Sequence, residues 1–294
     1  MQYTAKEKWA AFFKSLWTPM IYILLQLVVG FFVFFPMMTY AFSLMIRNID
    51  DIASITDELE NIALSPELIN MTMLLTAMSG ILMTVYMVFY YRKKKGISYA
   101  SLGINDLKPK SAILGALLGI GTMLTIVLAL NLLDQFVNIS SSDTTSNMIA
   151  EASPLWAMTA TVCVAPIVEE FIMRGFVFER LSKVFSARTT VVLTALIFGL
   201  IHFNLVQSSY AFVAGLSVGY FRAKYDDLWG CMLFHIFGNF CGSFDFGVFG
   251  ENAYLIACIS GVVILVAVLV FMLIDKEKGL FKKEEPVAIA TALE

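Results

Sequence analysis

Long apolar runs separated by short polar stretches make up most of the chain. Eight of these runs lie roughly at 19–46, 70–91, 112–133, 154–179, 189–206, 208–222, 227–244 and 253–274. Most reach the ~20 residues that an α-helix needs to cross the hydrocarbon core of a bilayer. Their continuous apolar character contrasts with the alternating pattern of membrane-barrel strands. The pattern therefore predicts an all-α, polytopic membrane protein, a bundle of about eight transmembrane helices that forms a single integral membrane domain over residues 1–294.

The composition agrees with this prediction and narrows the classes of function. Of the 294 residues, 59% are hydrophobic and 15% are charged, and the mean hydropathy is +0.79. These values lie well outside the range of an ordinary soluble domain. The net charge is −3, and no basic surface indicates a nucleic-acid partner. All four cysteines fall in predicted helices, which favours packing residues over a disulfide framework.

Lysine and arginine sort to one side of the predicted bundle. If the N-terminus is cytoplasmic, every basic residue except Arg47 falls in a predicted inner segment. Positive charge is retained on the cytoplasmic side of membrane helices, so we expect both termini to be cytoplasmic, in a bacterial plasma membrane. Residues 1–18 would form a helix in the inner interface, or an aromatic and basic flank of the first crossing. Residues 275–294 would form a cytoplasmic tail.

Three charged side chains interrupt the apolar run at 154–179. Each of Glu169, Glu170 and Arg174 would cost about 2.5–3.5 kcal/mol near the bilayer centre if unpaired. Residues four apart share one helical face, so we expect Glu170 and Arg174 to pair. Glu169 is turned by about 100° from Glu170 and faces other groups. Pro166 lacks the N–H of a helical hydrogen bond, which predicts a kink with free carbonyl groups beside Glu169.

Both histidines of the chain also lie in apolar runs. His202 follows Phe198 by four residues, and His235 precedes Asn239 by four residues. Measured from the predicted inner helix ends at 1.5 Å per residue, Glu169, His202 and His235 lie about 15, 21 and 12 Å deep. These three side chains can therefore meet in one slab of the bilayer.

This set of groups suits hydrolysis of an acyl bond by activated water. A carboxylate in an apolar pocket can serve as a general base, and imidazole and carboxamide groups can donate hydrogen bonds to a developing oxyanion. Zinc held by Glu169, His202 and His235 is an alternative, although the helical HExxH signature is absent. A covalent mechanism through Cys231 has no supporting motif. A proton-coupled carrier is the alternative from another class, without support from internal repeats.

Three motifs occur in a recognisable order on successive predicted helices. "EEFIMR" fits EExxxR, "FGLIH" fits FxxxH and "HIFGN" fits HxxxN, all within residues 154–245. In these motifs the chain resembles the CPBP family, which groups type II CAAX prenyl endopeptidases with bacteriocin-processing and immunity proteins and is also called the Abi family. The resemblance makes residues 154–245 the motif-bearing catalytic core. The other helices match the family in number and hydropathy.

The resemblance implies an eight-helix intramembrane endopeptidase whose cavity opens to the cytoplasmic side. By position in the motifs, Glu169 is the general base for water and His202 orients or activates that water. His235 and Asn239 form the oxyanion hole. The residues that support this site would be Glu170, Arg174 and Phe198. We expect no cofactor, and the zinc alternative stays open because the family was long argued to be zinc-dependent.

We therefore expect a glutamic CAAX-type endopeptidase that cleaves a peptide bond near the cytoplasmic membrane face. Its partners would be the lipid bilayer and a peptide, protein or lipidated peptide precursor, such as a pheromone or bacteriocin precursor, because most bacteria lack prenylated proteins. The alternative is a non-proteolytic member of the same family, acting in bacteriocin immunity or in regulation of a membrane partner. No motif indicates an oligomeric state.

Overall fold

The structure of the chain is a computed structural model that describes residues 3–47, 52–63, 65–95, 98–137, 151–244, 246–277 and 279–284. No strand occurs in these ranges, which confirms the all-α prediction. Residues 285–294 of the predicted tail lie outside them. The main helices are α1 (Ala5–Ser15), α2 (Trp17–Arg47), α3 (Ile52–Ala63), α4 (Pro66–Lys95), α5 (Pro109–Val137), α6 (Pro154–Ser182), α7 (Ala187–Leu200), α8 (Leu205–Tyr225), α9 (Leu228–Ser243) and α10 (Glu251–Ile274).

Each of the eight apolar runs overlaps one of these helices. Within the described ranges, five segments are long and apolar enough to cross a membrane. The five segments are Ala5–Phe32, Pro66–Tyr90, Pro109–Val137, Pro154–Ser182 and Asn252–Phe281. The protein is thus a multi-pass membrane protein, and the count of eight crossings with cytoplasmic termini stays a prediction. Helix α7 has 14 residues, so it is only about 21 Å long at 1.5 Å per residue.

Glycines allow α5 to pack closely against two neighbouring helices. A Cβ on Gly115 would overlap the carbonyl group of Gly230, and one on Gly119 would overlap that of Phe234, so α5 and α9 run parallel in close contact. A Cβ on Gly121 would lie 2.7 Å from a backbone nitrogen of α10. Small residues at four-residue spacing permit such contacts between membrane helices. Gly115 and Gly119 are such a pair.

Helix α6 is not a regular α-helix along its whole length. Two π-helical stretches, Met158–Val164 and Phe171–Val177, flank a short α-helical piece. At the end of the first stretch, the N–H of Ala165 donates to the carbonyl of Ala160, five residues earlier. The next residue, Pro166, has no N–H to continue this pattern. The turn of α6 before the two glutamates is therefore wider than an α-helical turn and lacks one backbone hydrogen bond.

The end of the bundle where α6, α8 and α10 finish, and where α5, α7 and α9 begin, gathers basic side chains, and we call it the basic end. Lys110 Nζ lies 2.6 Å from Asp275 Oδ2, and Lys224 Nζ donates to the Asp275 carbonyl at 3.0 Å. The Tyr225 hydroxyl donates to Asp275 at 2.9 Å, and burial together with this carboxylate raises the pKa of Tyr225 above its usual range. These contacts join the starts and ends of three helices.

A loop between α4 and α5, residues 98–106, closes the basic end, and we call it the sealing loop. Its Leu102 is buried in the main hydrophobic core. Gly103 has a φ of 79°, a backbone conformation that favours glycine. The Gly103 carbonyl accepts from the N–H of Leu228 at 2.8 Å, and its Cα lies so close to the Arg222 guanidinium that a Cβ would be 2.7 Å away. The sealing loop is therefore fastened to both α8 and α9.

Candidate active site

A cavity of about 290 Å³ lies inside the bundle and collects the predicted site residues. Its walls come mainly from α5, α6, α8 and α9, with a contribution from the end of α7 and the turn after it. The predicted site residues that line the cavity are Glu169, Glu170, Phe198, His202, His235 and Asn239. Side chains from three separate motifs are thus brought into one cavity.

The first contact of the site is the ion pair that the four-residue spacing predicts. Glu170 Oε1 accepts from Arg174 Nη1 at 3.0 Å, and both side chains are almost completely buried. Arg174 Nη2 donates to the Gly215 carbonyl of α8 at 3.2 Å, and the Arg174 guanidinium lies 4.6 Å from the ring centroid of Phe198 in α7. Arg174 therefore holds α6 against both helices of the α7–α8 hairpin.

Glu170 also contacts a histidine, a contact that the four-residue spacing does not predict. Glu170 Oε1 lies 3.0 Å from His235 Nδ1. A carboxylate paired with arginine can only accept, so Nδ1 carries the proton, and in the neutral ring Nε2 is an acceptor. Glu169 Oε2 is 3.8 Å from His235 Nε2, too far for a direct hydrogen bond. The two adjacent glutamates thus flank the two nitrogens of one ring.

His202 lies just beyond the end of α7 rather than within a helix. The helix ends at Leu200, Phe203 adopts a left-handed φ of 53°, and Asn204 caps α8 by accepting from the N–H of Gln207 at 2.9 Å. The apolar run hides this turn because only Asn204 is a recognisable helix-start residue. His202 Nδ1 lies 2.7 Å from the carbonyl of Phe198, so Nδ1 is the donor.

Asn239 is held by α6 through a carbonyl that the proline leaves free. Its Nδ2 donates to the Thr161 carbonyl at 2.8 Å. In the π-helical pattern, this carbonyl would accept from the N–H five residues later, but that residue is Pro166. The predicted loss of a helical hydrogen bond at Pro166 therefore orients the amide of α9.

Comparison with protein families adds one finding that agrees with this geometry. A family model described as type II CAAX prenyl endopeptidase Rce1-like matches residues 151–241. Over this segment the chain is therefore similar to the Rce1-like endopeptidases. The match confirms the predicted resemblance to the CPBP family of CAAX proteases. Comparison with curated proteins and with solved structures finds no match to the chain.

The wall that α5 contributes to the cavity lies outside both the segment matched by the family model and the predicted core. Residues of α5 that line the cavity include Thr122, Met123 and Ile126. The Gly115 and Gly119 pair is the sequence signal for this wall, because it places α5 directly against α9. The carbonyls of Thr161 and Gly215 were also missed, since a backbone oxygen has no sequence signature.

The zinc alternative requires Glu169, His202 and His235 to form one ligand set. No group of three or more His, Cys, Asp and Glu side chains in the described ranges is arranged to hold a metal ion. In both His202 and His235, Nδ1 is engaged by an oxygen atom, so each ring offers only Nε2 as a ligand. The donor types suit zinc, but the three side chains do not form a ligand set in this arrangement.

Proposed function

We propose that the protein is an intramembrane endopeptidase that hydrolyses a peptide bond with a water activated by Glu169. The different environments of the two adjacent carboxylates support this most directly. Glu170 is fully buried and shared between Arg174 and His235. The Glu169 side chain is 19% exposed and lines the cavity. In this proposal the Glu170 carboxylate therefore positions Arg174 and His235, and the Glu169 carboxylate acts on the substrate.

In this proposal Glu169 is the general base. It takes a proton from a water beside it, while His202 orients the same water with the Nε2 that remains free to accept. The water oxygen forms a bond to the carbonyl carbon of the peptide, and the carbonyl π electrons move to its oxygen. Base catalysis of this kind contributes typically about 10²–10⁴-fold to a rate.

His235 and Asn239 would stabilise the negative oxygen of this intermediate. The amide nitrogen of Asn239 has a second N–H besides the one that it donates to Thr161. His235 donates from Nε2 when both ring nitrogens are protonated, because Nδ1 already donates to Glu170. Loss of one oxyanion donor typically costs about 2.7–4 kcal/mol of transition-state stabilisation.

The intermediate collapses when the C–N bond breaks and the carbonyl double bond re-forms. The proton held by Glu169 moves to the leaving nitrogen, so the products are a carboxylic acid and an amine. The substrate in this proposal is a peptide or lipidated peptide precursor in a bacterial plasma membrane. Apolar side chains of α5, among them Met123, Val127 and Leu130, line the cavity and suit an apolar peptide segment.

Replacement of Glu169 tests the proposal. Glu169→Gln keeps the size of the side chain and removes the base, so peptides cut by the native protein should persist in the membrane peptidome. Glu179→Gln is the matched control on the same helix, because Glu179 pairs with Lys183 outside the cavity. Full cleavage by a folded Glu169→Gln protein would contradict the proposal.

Metal dependence is tested separately on the purified protein. The proposed mechanism predicts cleavage that continues in the presence of a strong chelator and that does not scale with metal content. Elemental analysis together with cleavage assays checks this. If the protein held stoichiometric zinc and lost its activity together with that zinc, the nucleophile would be a metal-bound water rather than a water activated by Glu169.

A further inference from the structure

The cavity is not centred in the bundle but lies in the half away from the basic end. On α5 and α9, which start at the basic end, the lining residues begin at Gly119 and Phe234 and continue toward the helix C-termini. On α8, which runs the other way, they lie between Gln207 and Val218, in the N-terminal part. Three walls thus place the cavity on the same side of the ion-paired Glu170.

Exposure of the lining residues on α8 and α9 increases in the same direction. On α9, Phe234 is buried, Asn239 is half-buried and Ser243 is exposed. On α8, Val218 is buried, and Gln207 near the start of the helix is half-buried. The mouth of the cavity therefore lies at the end of the bundle opposite the basic end.

The basic end is closed by a second, independent set of contacts. Below the cavity floor, Arg174 and Arg222 are both buried, and Arg222 Nε donates to the Arg174 carbonyl at 3.0 Å. Beyond them, the sealing loop adds Asn105, whose amide donates to the Asp226 carbonyl at 3.2 Å, while the Trp229 indole donates to the Asn105 carbonyl at 3.0 Å. A peptide cannot reach Glu169 from this end without breaking these contacts.

We propose that substrate reaches Glu169 from the non-cytoplasmic side of the membrane, as an uncharged peptide segment that is exported or embedded in the outer half of the bilayer. Among the described side chains, Lys110, Arg180 and Lys224 make contacts at the sealed end, and the positive-inside rule places such a basic end in the cytoplasm. This differs from the expectation of a cytoplasmic opening. The route is a property of the fold, whereas the peptide assignment rests on the proposed hydrolysis. Glu169 and Glu170 are the charged lining residues in the described ranges, so acidic segments are disfavoured.

Accessibility of single cysteines tests the route without requiring catalysis. Cys163 and Cys241 are first replaced by alanine, because they are the more accessible native thiols and would react with the probe. Cys231 and Cys258 are buried and are retained. Ser243→Cys then reports the mouth, Ala214→Cys reports the α8 wall inside the cavity, and Ser101→Cys in the sealing loop is the matched control at the basic end. The probe is a small, membrane-impermeant, cationic methanethiosulfonate added to intact cells.

In intact cells, the thiols at positions 243 and 214 should react at least about tenfold faster than the thiol at 101, which should react only after permeabilisation. Preferential reaction at 214 from the cytoplasmic side, equal reaction from both sides, or no reaction from either side would overturn the route. The peptidome comparison tests the substrate: cut sites in exported or outer segments support the assignment, and cut sites in cytoplasmic segments overturn it. Labelling in a Glu169→Gln background is expected to be unchanged, so a failed hydrolysis and a failed route give different results.

Discussion

At the scale of single residues, Glu170 links two helices of the site. It accepts from Arg174 of its own helix and from His235 of α9. The first contact follows from four-residue spacing, and so it could be predicted from the chain. The second depends on how two helices are rotated about their axes, which local spacing does not determine. The sequence therefore indicated the ion pair, but it did not indicate that His235 contacts Glu170 as well as lying near Glu169.

Breaking this pair should cost much more than breaking an exposed one. Arg174→Met leaves the buried Glu170 carboxylate without its cation, and loss of one partner of a buried pair costs about 3–5 kcal/mol. Lys183→Met is the control on the same helix, since Lys183 also lies four residues from its glutamate but is 62% exposed. That change should stay within about 1 kcal/mol.

The measurement is the free energy of unfolding of each purified variant in lipid micelles, obtained by denaturant titration. Restoration of much of the lost stability by Glu170→Gln in the Arg174→Met background would assign the loss to the unpaired charge. Equal losses for Arg174→Met and Lys183→Met would show that burial does not distinguish the two pairs.

At the scale of helices, α6 supplies most of the site through an irregular backbone. Pro166 was predicted to free a carbonyl, and the structure shows that the carbonyl is that of Thr161 and that it accepts from Asn239. The π-helical stretches themselves could not be predicted. Hydrogen bonds between residues five apart form only where neighbouring helices offer partners to the backbone groups that lose their α-helical hydrogen bonds.

Pro166→Ala tests this link between α6 and α9. The new N–H can donate to the carbonyl of Thr161 and compete with Asn239, so we expect about tenfold lower kcat, close to 1.4 kcal/mol, with KM little changed. Pro154→Ala is the control, because Pro154 stands in the first turn of α6, where no helical hydrogen bond is gained.

Steady-state cleavage of a peptide identified in the membrane peptidome measures both variants. A Pro166→Ala protein with native kcat would show that the hydrogen bond from Asn239 to the Thr161 carbonyl does not contribute to catalysis. A rise in KM alone would place the effect on substrate binding rather than on the oxyanion.

At the scale of the whole molecule, the hydropathy pattern predicted the helix class and the approximate helix positions well. It placed His202 inside a helix, because the apolar run continues through the turn before α8. The distribution of lysines and arginines along the chain predicted that they gather at one end. The contacts of Lys110, Arg180 and Lys224 lie at that end. The direction of the cavity could not be predicted, since it depends on which half of each helix lines it.

The distance between neighbouring helices of the bundle depends on the glycines of α5, and a prediction at this scale follows from them. Gly119→Ala places a methyl group on the Phe234 carbonyl of α9, and overpacking of this kind costs typically about 1–3 kcal/mol. Gly30→Ala in α2 is the control, because nothing lies within 4 Å of its Cβ position. That control should be neutral or slightly stabilising, since alanine favours a helix by about 1 kcal/mol over glycine.

Thermal unfolding in lipid micelles compares these two variants at the same protein concentration. We expect a lower midpoint for Gly119→Ala and an unchanged or higher midpoint for Gly30→Ala. If both variants keep the native midpoint, the contact between α5 and α9 is looser than the structure shows.

The contact between α5 and α9 also bears on how this scaffold can acquire new substrates. Two backbones already in touch cannot move closer, and they separate only by losing their packing, so that wall keeps its shape. The wall on α8 presents side chains to the cavity at Gln207, Tyr210 and Ala214. A directed-evolution library would therefore be best concentrated at these three positions, where a change of volume alters the fit of a peptide and leaves the bundle intact.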